Sequence, residues 1–329
     1  MDNIQLKSNT MKYLYYLCLL IVISACNKEW EEELFTKYVA FGKNGVVQVY
    51  VKYKEQGGNI PLKIPVVLSG STTNNTDISI SIALDKDTLT NLNFDRFRLR
   101  EDLYFKELPA EYYSFKTLTA TIPKGSNTGY VTVDLKLDGI DLVNKYILPL
   151  EIVSSSAYTP SILKHYKKSL ITIIPFNDFS GRYSVAGAVW DRTKNENGQT
   201  ALTTPYRNTW VVNEKAVFFY AGVTEEEAVD RAGYKISATF NADSTVTLTS
   251  GNPAIHFVQQ KGTYTVSKRM DEVQPYLEKT YTTVYLEYHY DDITNPAFPL
   301  KYRFAGSMVL EKVKNIQIPE EEQQVQIPD

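Results

Sequence analysis

Ile78-Ser-Ile-Ser-Ile-Ala-Leu84 is the segment that decides the fold class of this chain. A large apolar side chain occupies every second position, and small or polar side chains lie between them. Successive side chains of a β-strand point to opposite faces, so this alternation predicts a strand with one buried face. The pattern recurs along the chain between turn residues, with little helical periodicity. The sequence therefore predicts an all-β protein.

Residues 37–175 contain about seven such segments, which predict an N-terminal immunoglobulin-like β-sandwich. Asn44-Gly45 precedes an alternating valine run and predicts a hairpin, because both residues accept positive φ. Asp85-Lys86-Asp87 follows the opening segment and predicts the start of a long connection.

A proline and polar turn at residues 175–181 mark the predicted boundary to a second unit, residues 176–314. Eight segments there alternate like strands: residues 181–190, 206–212, 216–220, 234–240, 245–249, 262–266, 281–290 and 301–310. Eight strands joined mostly by hairpins predict a lipocalin-like antiparallel β-barrel, with a second sandwich as the alternative. Thr224 and Glu227 form a capping-box pattern that predicts one short helix over residues 225–231.

The N-terminus carries targeting information. Lys12 precedes an apolar run at residues 13–23, which has the length of a signal-peptide core and is too short to span a bilayer. The start is Met1 or Met11, of which Met11 is favoured because residues 1–10 lack apolar character, and residues 1–25 are the expected signal peptide. Ser24-Ala25-Cys26 resembles the lipobox of bacterial lipoproteins, which implies acylation of Cys26 and a hold on outer-membrane lipid. The acidic tether, residues 26–36, resembles the export signal of Bacteroidota surface lipoproteins and implies a position facing the cell exterior.

Composition excludes several classes of protein. The formal net charge is −3, or −4 without residues 1–25, so a nucleic-acid partner is not expected. The two cysteines are Cys18, inside the signal, and Cys26, so the folded part has no disulfide. Twenty-four tyrosines favour sheet. Proline, glutamate and glutamine dominate residues 315–329, which predicts a disordered tail.

Several motifs carry a resemblance to a known family. Tyr38-Val-Ala-Phe41, Leu84-Asp-Lys-Asp-Thr-Leu89, Ile122-Pro-Lys-Gly125 and Lys145-Tyr-Ile-Leu-Pro-Leu150 resemble the N-terminal domain of a family of two-domain Bacteroidota surface lipoproteins. Three further segments resemble the C-terminal domain that usually accompanies it in this family: Phe176-Asn-Asp-Phe-Ser-Gly-Arg-Tyr183, Val217-Phe-Phe-Tyr-Ala-Gly222 and Leu286-Glu-Tyr-His-Tyr-Asp-Asp-Ile293. Many members belong to polysaccharide-utilisation systems. The resemblance therefore implies glycan binding beside a neighbouring transporter or glycoside hydrolase.

Residue patterns offer little for catalysis. The three histidines have no metal-ligand spacing, and no nucleophile elbow, phosphate loop or dinucleotide fingerprint occurs. Paired carboxylates could serve glycoside hydrolysis. Asp291 and Asp292, however, are adjacent and would point to opposite faces of a strand, while Asp85 and Asp87 form only a weak calcium pattern. We therefore predict no catalytic residue, no metal and no cofactor.

Aromatic residues beside polar ones give the better prediction. Sugar rings pack their C–H faces on aromatic rings, and flanking polar side chains bind the hydroxyl groups. Two tryptophans with polar neighbours border the loop at residues 194–199. The predicted saccharide site comprises Trp190, Asp191, Arg192, Tyr206, Arg207 and Trp210. The alternative is that both tryptophans belong to the barrel core.

The sequence thus supports two functions of different class. The first is a non-catalytic, lipid-anchored protein that captures oligo- or polysaccharide at the cell surface. The second is a structural or adhesive lipoprotein that binds a protein partner through a strand edge.

Overall fold

The computed structural model describes residues 33–54, 58–163, 165–194 and 199–319. Cys26, the predicted signal peptide and residues 320–329 of the predicted tail lie outside the described residues. Within those ranges the chain forms two large β-sheets, which confirms the predicted all-β fold of a sandwich followed by a barrel. The described part of the chain contains no helix long and apolar enough to cross a bilayer.

The first sheet curls around one core. Among the described residues it has eleven strands: β1 (Tyr38–Phe41), β2 (Gly45–Lys52), β3 (Ile60–Leu68), β4 (Ile78–Leu84), β5 (Lys106–Glu107), β6 (Tyr113–Phe115), β7 (Thr119–Ile122), β8 (Thr128–Leu135), β9 (Tyr146–Ser155), β10 (Thr159–Pro160) and β11 (Lys168–Phe176). Their order is β10-β1-β3-β8-β7-β4-β9-β11-β2, with β5 beside β9 and β6 beside β8. Val39 of β1, Ile80 of β4 and Ile171 of β11 share the core, so strands distant in this order pack together.

The predicted hairpin at Asn44-Gly45 was wrong. β1 pairs antiparallel with β3, whereas β2 pairs in parallel with β11 along its whole length. Gly45 does adopt positive φ, +69°, as the dipeptide predicts. The turn instead directs the chain between distant strands, because burial of Phe41 and Val51 in the same core outweighs local pairing.

The connection predicted after β4 contains a helix, α1 (Lys86–Phe97). Asp85 is its N-cap and accepts a hydrogen bond from the Thr88 backbone N–H at 3.1 Å. Lys168 Nζ lies 2.8 Å from the Asp85 carboxylate. Burial opposes ionisation of Asp85, but Lys168 and Thr88 lower its pKa on balance. Asp85 therefore caps a helix and pairs with a lysine.

The second sheet is a nearly closed antiparallel barrel. In the described chain it has eight strands: β12 (Gly181–Asp191), β13 (Tyr206–Asn213), β14 (Ala216–Tyr220), β15 (Lys235–Phe240), β16 (Val246–Ser250), β17 (Val258–Met270), β18 (Leu277–Asp292) and β19 (Leu300–Asn315). Their order is β16-β15-β14-β13-β12-β19-β18-β17. β16 and β17 are therefore the strands that must meet for closure.

A glutamine side chain bridges that gap. Gln259 Nε2 donates to the Val246 carbonyl at 2.6 Å, and the Leu248 N–H donates to Gln259 Oε1 at 2.8 Å. A Cβ atom at Gly262 would collide with the Val246 carbonyl oxygen, so glycine permits this close approach. The amide thus replaces part of a main-chain ladder.

The barrel interior is filled with side chains. Tyr183, Tyr288 and Tyr290 are each 1% exposed, and Phe219 and Phe304 pack with them. Burial raises the pKa of Tyr183 and Tyr290 well above the usual range. The aromatic residues that the β-pattern places inward therefore form a solid core.

The short helix predicted for residues 225–231 was wrong. The segment forms turns followed by a 3-10 helix, Arg231–Tyr234. Its hydrogen bonds join Ala228 N–H to the Glu225 carbonyl and Arg231 N–H to the Ala228 carbonyl, both spanning three residues. A helix of only seven residues forms too few hydrogen bonds to offset the unfavourable free energy of its first turn, so the capping-box pattern alone does not produce a stable α-helix.

Polar contacts connect the two sheets. Arg231 donates to the Asp102 carbonyl at 2.8 Å, and Lys235 Nζ lies 3.1 Å from the Asp141 carboxylate. Val211 of β13 also belongs to the core of the first sheet. The second unit therefore packs against the first through both apolar and charged groups.

Candidate functional site

Trp190 lies on the outer surface of the barrel. Its neighbour on β12, Val189, is 2% exposed and points into the core, so Trp190 points outward. The Arg303 guanidinium lies 5.5 Å from the centroid of the Trp190 ring, and the two residues are cross-strand partners. Half-buried beside an arginine, the tryptophan is outside the barrel core.

Polar side chains of β18 and β19 lie on the same outer face as Arg303. Arg303 Nε donates to Glu287 Oε1 at 3.0 Å, and His289 is the cross-strand partner of Arg303. We call Trp190, Arg192, Glu287, His289 and Arg303 the Trp190 patch. It contains an aromatic ring, guanidinium donors, a carboxylate acceptor and an imidazole, which is a set that can bind hydroxyl groups.

Electrostatics fixes the charge states in the patch. Burial opposes ionisation of Glu287, but Arg303 and Lys261 lower its pKa on balance. Burial, Arg192 and Arg303 lower the pKa of His289. At neutral pH the patch therefore presents an ionised Glu287 and a neutral His289.

Asp191 shapes the loop that follows β12. Its carboxylate accepts hydrogen bonds from Thr193 N–H at 2.9 Å and Thr193 Oγ1 at 2.6 Å, and these contacts lower its pKa. The Asp191 backbone N–H donates to Gln199 Oε1 at 3.1 Å, and Gln199 Nε2 donates to the Asp191 carbonyl at 2.9 Å. Residues 195–198 of this predicted sugar loop lie outside the described residues.

Tyr206 is 45% exposed but distant from Trp190. Its cross-strand partner on β12 is Ser184, six residues before Trp190, which corresponds to about 20 Å of strand. The Arg182 guanidinium lies 4.0 Å from the centroid of the Tyr206 ring. Tyr206 and Trp190 thus cannot bind the same sugar ring.

Arg207 holds the loop after β14. Its guanidinium donates to the Thr224 carbonyl at 3.0 Å and to the Gly222 carbonyl. The Gly222 N–H in turn donates to the Tyr288 hydroxyl at 3.0 Å. Arg207 therefore satisfies backbone carbonyls of the barrel.

Trp210 packs on aromatic residues of the neighbouring strand, β14. Its ring stacks on Phe218, with centroids 5.1 Å apart, and lies 5.4 Å from Tyr220. Lys235, which pairs with Asp141 of the first unit, lies 4.4 Å above the Phe218 ring. Burial raises the pKa of Tyr220 to about 12. This aromatic cluster supports domain packing.

The six predicted residues thus lie in several places, and two residues of the patch, Arg303 beside Trp190 and Glu287 beside Arg303, were not predicted. Along β18, Glu287 and His289 point outward, and Tyr288 and Tyr290 point inward. That alternation was the available signal. In the described ranges, no cluster of three or more His, Cys, Asp or Glu residues offers a metal site.

Family comparisons agree with two units. A model described as a domain of unknown function, DUF4973, matches residues 30–156, and a C-terminal domain model matches residues 167–309. A crystal structure of a Bacteroides ovatus protein of unknown function is 37% identical, with a TM-score of 0.79, and the match covers 88% of this chain and 99% of that one. The chain belongs to this two-domain Bacteroides family. The resemblance seen in the sequence motifs is therefore confirmed at the family level.

Two further members of the family are informative. A Bacteroides ovatus multidomain protein including DUF1735 is 36% identical with a TM-score of 0.79, and the match covers 88% of this chain and 99% of that one. An auxiliary nutrient binding protein from Bacteroides thetaiotaomicron is 29% identical with a TM-score of 0.75, and the match covers 85% of this chain and 95% of that one. A search of curated proteins finds no match. The three relatives are thus described as a protein of unknown function, a multidomain protein and an auxiliary nutrient binding protein.

Proposed function

We propose that this protein is a lipid-anchored protein of the outer cell surface that captures glycans without cleaving them. The Trp190 patch carries the proposal, because it combines an outward tryptophan with the hydrogen-bonding groups of Glu287, His289 and Arg303. The relative named as an auxiliary nutrient binding protein supports the same general role. Acylation of Cys26 would anchor the chain in the outer membrane, from which captured glycan passes to a neighbouring transporter or hydrolase.

The charge states of the patch favour binding over hydrolysis. Glycoside hydrolysis requires a carboxylic acid that keeps its proton until the leaving group departs. The pKa values of Glu287 and Asp191 are both lowered, so both are ionised at neutral pH. Neither can act as the required general acid, whereas both can accept hydrogen bonds from sugar hydroxyls.

The test is binding of the chain from Asn27 onward to an array of polysaccharides and host glycans. We expect saturable binding to one glycan class without release of product. Trp190→Ala should then reduce the affinity at least tenfold, which corresponds to about 1.4 kcal/mol. Tyr130→Ala, which removes a 54% exposed ring from the first sheet, is the matched control and should bind normally.

Trp210→Ala separates binding from folding. It should lower the free energy of unfolding by about 2–3 kcal/mol, because it removes the ring stacked on Phe218, and should leave affinity unchanged. Unchanged affinity in a folded Trp190→Ala variant would reject the patch.

A protein partner is the second candidate function. β2 is eight residues long and, among the described strands, pairs with β11 alone. An edge of this kind can accept another strand. Absence of binding across the whole array would favour this function, and cross-linking on intact cells would then identify the partner.

A further inference from the structure

A cleft of about 430 Å³ lies at the junction of the two sheets, where Tyr53 of the first core is one of the residues that line it. The end of β2, the linker residues after β11, and the turns that follow β13 and β15 all contribute to its walls. Small-molecule sites in proteins measure roughly 300–1,000 Å³ and occur preferentially between domains. The cleft has the size and place of a ligand site, and it is separate from the Trp190 patch.

Three aromatic rings form one side of the cleft. Phe179 stacks on Phe240 with centroids 3.9 Å apart and planes 8° from parallel, and Tyr264 meets both rings edge-on. Phe240 is buried, whereas Phe179 and Tyr264 are half-buried and face the opening. The Tyr264 hydroxyl donates to the Asn241 carbonyl at 2.9 Å, which fixes its ring. The result is a rigid apolar surface.

Four exposed charged side chains surround the opening. Lys52 and Lys215 are cationic, and Asp178 and Glu214 are anionic, so these four exposed side chains together have no net charge. Such a rim supplies ammonium donors and carboxylate acceptors without an electrostatic preference for an ion of either sign.

The linker wall is already ordered. The side chain of Asn177 is 4% exposed, and its Nδ2 donates to the carbonyls of Asn213 at 2.7 Å and Ala216 at 3.1 Å. Its Oδ1 accepts from the N–H groups of Phe179 and Ser180 at 2.9 and 2.8 Å. These bonds hold the linker against the β13–β14 turn, so the linker loses little conformational entropy when a ligand binds.

We propose that this junction cleft is a second saccharide site, which binds a neutral oligosaccharide. The apolar rings receive the C–H face of a sugar, and the balanced rim binds its hydroxyl groups. The assignment rests on the proposed glycan-binding function and adds a site that contains residues of both units.

The test uses calorimetry on the chain from Asn27 onward. The probes are neutral gluco-, manno- and galacto-trisaccharides, with a trimer of galacturonic acid as the charged comparison. Ala242→Trp fills the cleft from an exposed lining position, and Ala297→Trp places the same ring on an exposed loop elsewhere as the matched control. We expect Ala242→Trp to weaken binding of one neutral probe at least tenfold, with no effect of Ala297→Trp.

A chemical footprint supplies an independent readout. Saturating neutral probe should slow acetylation of Lys215 several-fold, as measured by mass spectrometry, and leave Lys124, exposed in the β7–β8 turn, unaffected. Wild-type affinity in Ala242→Trp together with unprotected Lys215 would overturn the cleft site. Preference for the charged trimer in the cleft would overturn its neutral ligand class.

The two proposed sites fail separately. If Trp190→Ala loses all trisaccharide binding and Ala242→Trp binds like wild type, the cleft is rejected and the proposed function is kept. The reverse result would establish the cleft and reject the Trp190 patch. If no neutral probe binds the wild-type chain, the cleft site is rejected, and the glycan array decides the proposed function independently.

Discussion

Lys312 provides a quantitative test of the junction between the linker and the barrel. Its ammonium lies near the end of β19, donates to the Asn177 carbonyl and sits 5.8 Å from the Phe176 ring centroid. Burial lowers the pKa of Lys312 from 10.5 to about 8, with Asp178 opposing this shift and Lys52 adding to it. The folded protein therefore holds this proton less tightly than the unfolded chain.

The sign of the pH dependence follows directly. Between the folded and unfolded pKa values the unfolded state binds more protons at this site, so stability rises with pH. The destabilising effect of the buried charge is fully present below about pH 8 and disappears toward about pH 10.5. Integrating the difference in bound protons between the unfolded and folded states over pH gives the size of the effect. The contribution of Lys312 to the free energy of unfolding should increase by about 2 kcal/mol between about pH 7 and about pH 9.5.

The assay compares wild type with Lys312→Met by urea unfolding across this pH range. Trp190 and Trp210 both lie in the second sheet, so tryptophan fluorescence follows unfolding of the unit that contains Lys312. Wild type should gain about 2 kcal/mol relative to the variant as pH rises. Lys314→Met, an exposed lysine on the same strand, should follow the wild-type curve. Parallel curves for wild type and Lys312→Met would refute the reasoning.

Two further changes test the barrel and the anchor. Gly222→Ala should lower the free energy of unfolding by about 2–4 kcal/mol, because φ is +56° and the new Cβ would collide with the Tyr290 hydroxyl. At Gly139 φ is +75°, but no atom lies within 4 Å of the added Cβ, so Gly139→Ala should lower the free energy of unfolding by only about 1 kcal/mol. Equal losses of stability for the two variants in urea unfolding would contradict this reasoning. Cys26→Ser should abolish incorporation of labelled palmitate and move the protein out of the membrane fraction of cells, and a variant that stays in that fraction would disprove anchoring through Cys26.

Local patterns predicted which segments form strands and which side chains they bury. The residues of β4 alternate between buried and exposed as the opening segment predicts. Tyr288 and Tyr290 are buried, and Glu287 and His289 lie outside, for the same reason. The helix α1 was missed because Asp-Lys-Asp resembles a turn, although Asp85 as an N-cap before Leu89 was a usable signal.

Pairing between distant segments could not be predicted in this way. The Asn44-Gly45 turn has the backbone expected of it, yet β1 and β2 join different partners. Trp190 could be identified as an aromatic residue beside a polar loop, but its contacts with Arg303 depend on the register of β12 and β19. The same limit explains why Trp210, equally conspicuous in the sequence, instead stacks on Phe218 of β14.

The amino-acid sequence by itself determined the all-β class, the order of the strands along the chain and the inward or outward direction of side chains, because the twofold periodicity of a strand is local. Tertiary structure alone decided which strands pair, which side chains each tryptophan contacts and where the junction cleft lies. Those features depend on contacts between residues far apart in the chain, whose energies no short segment encodes.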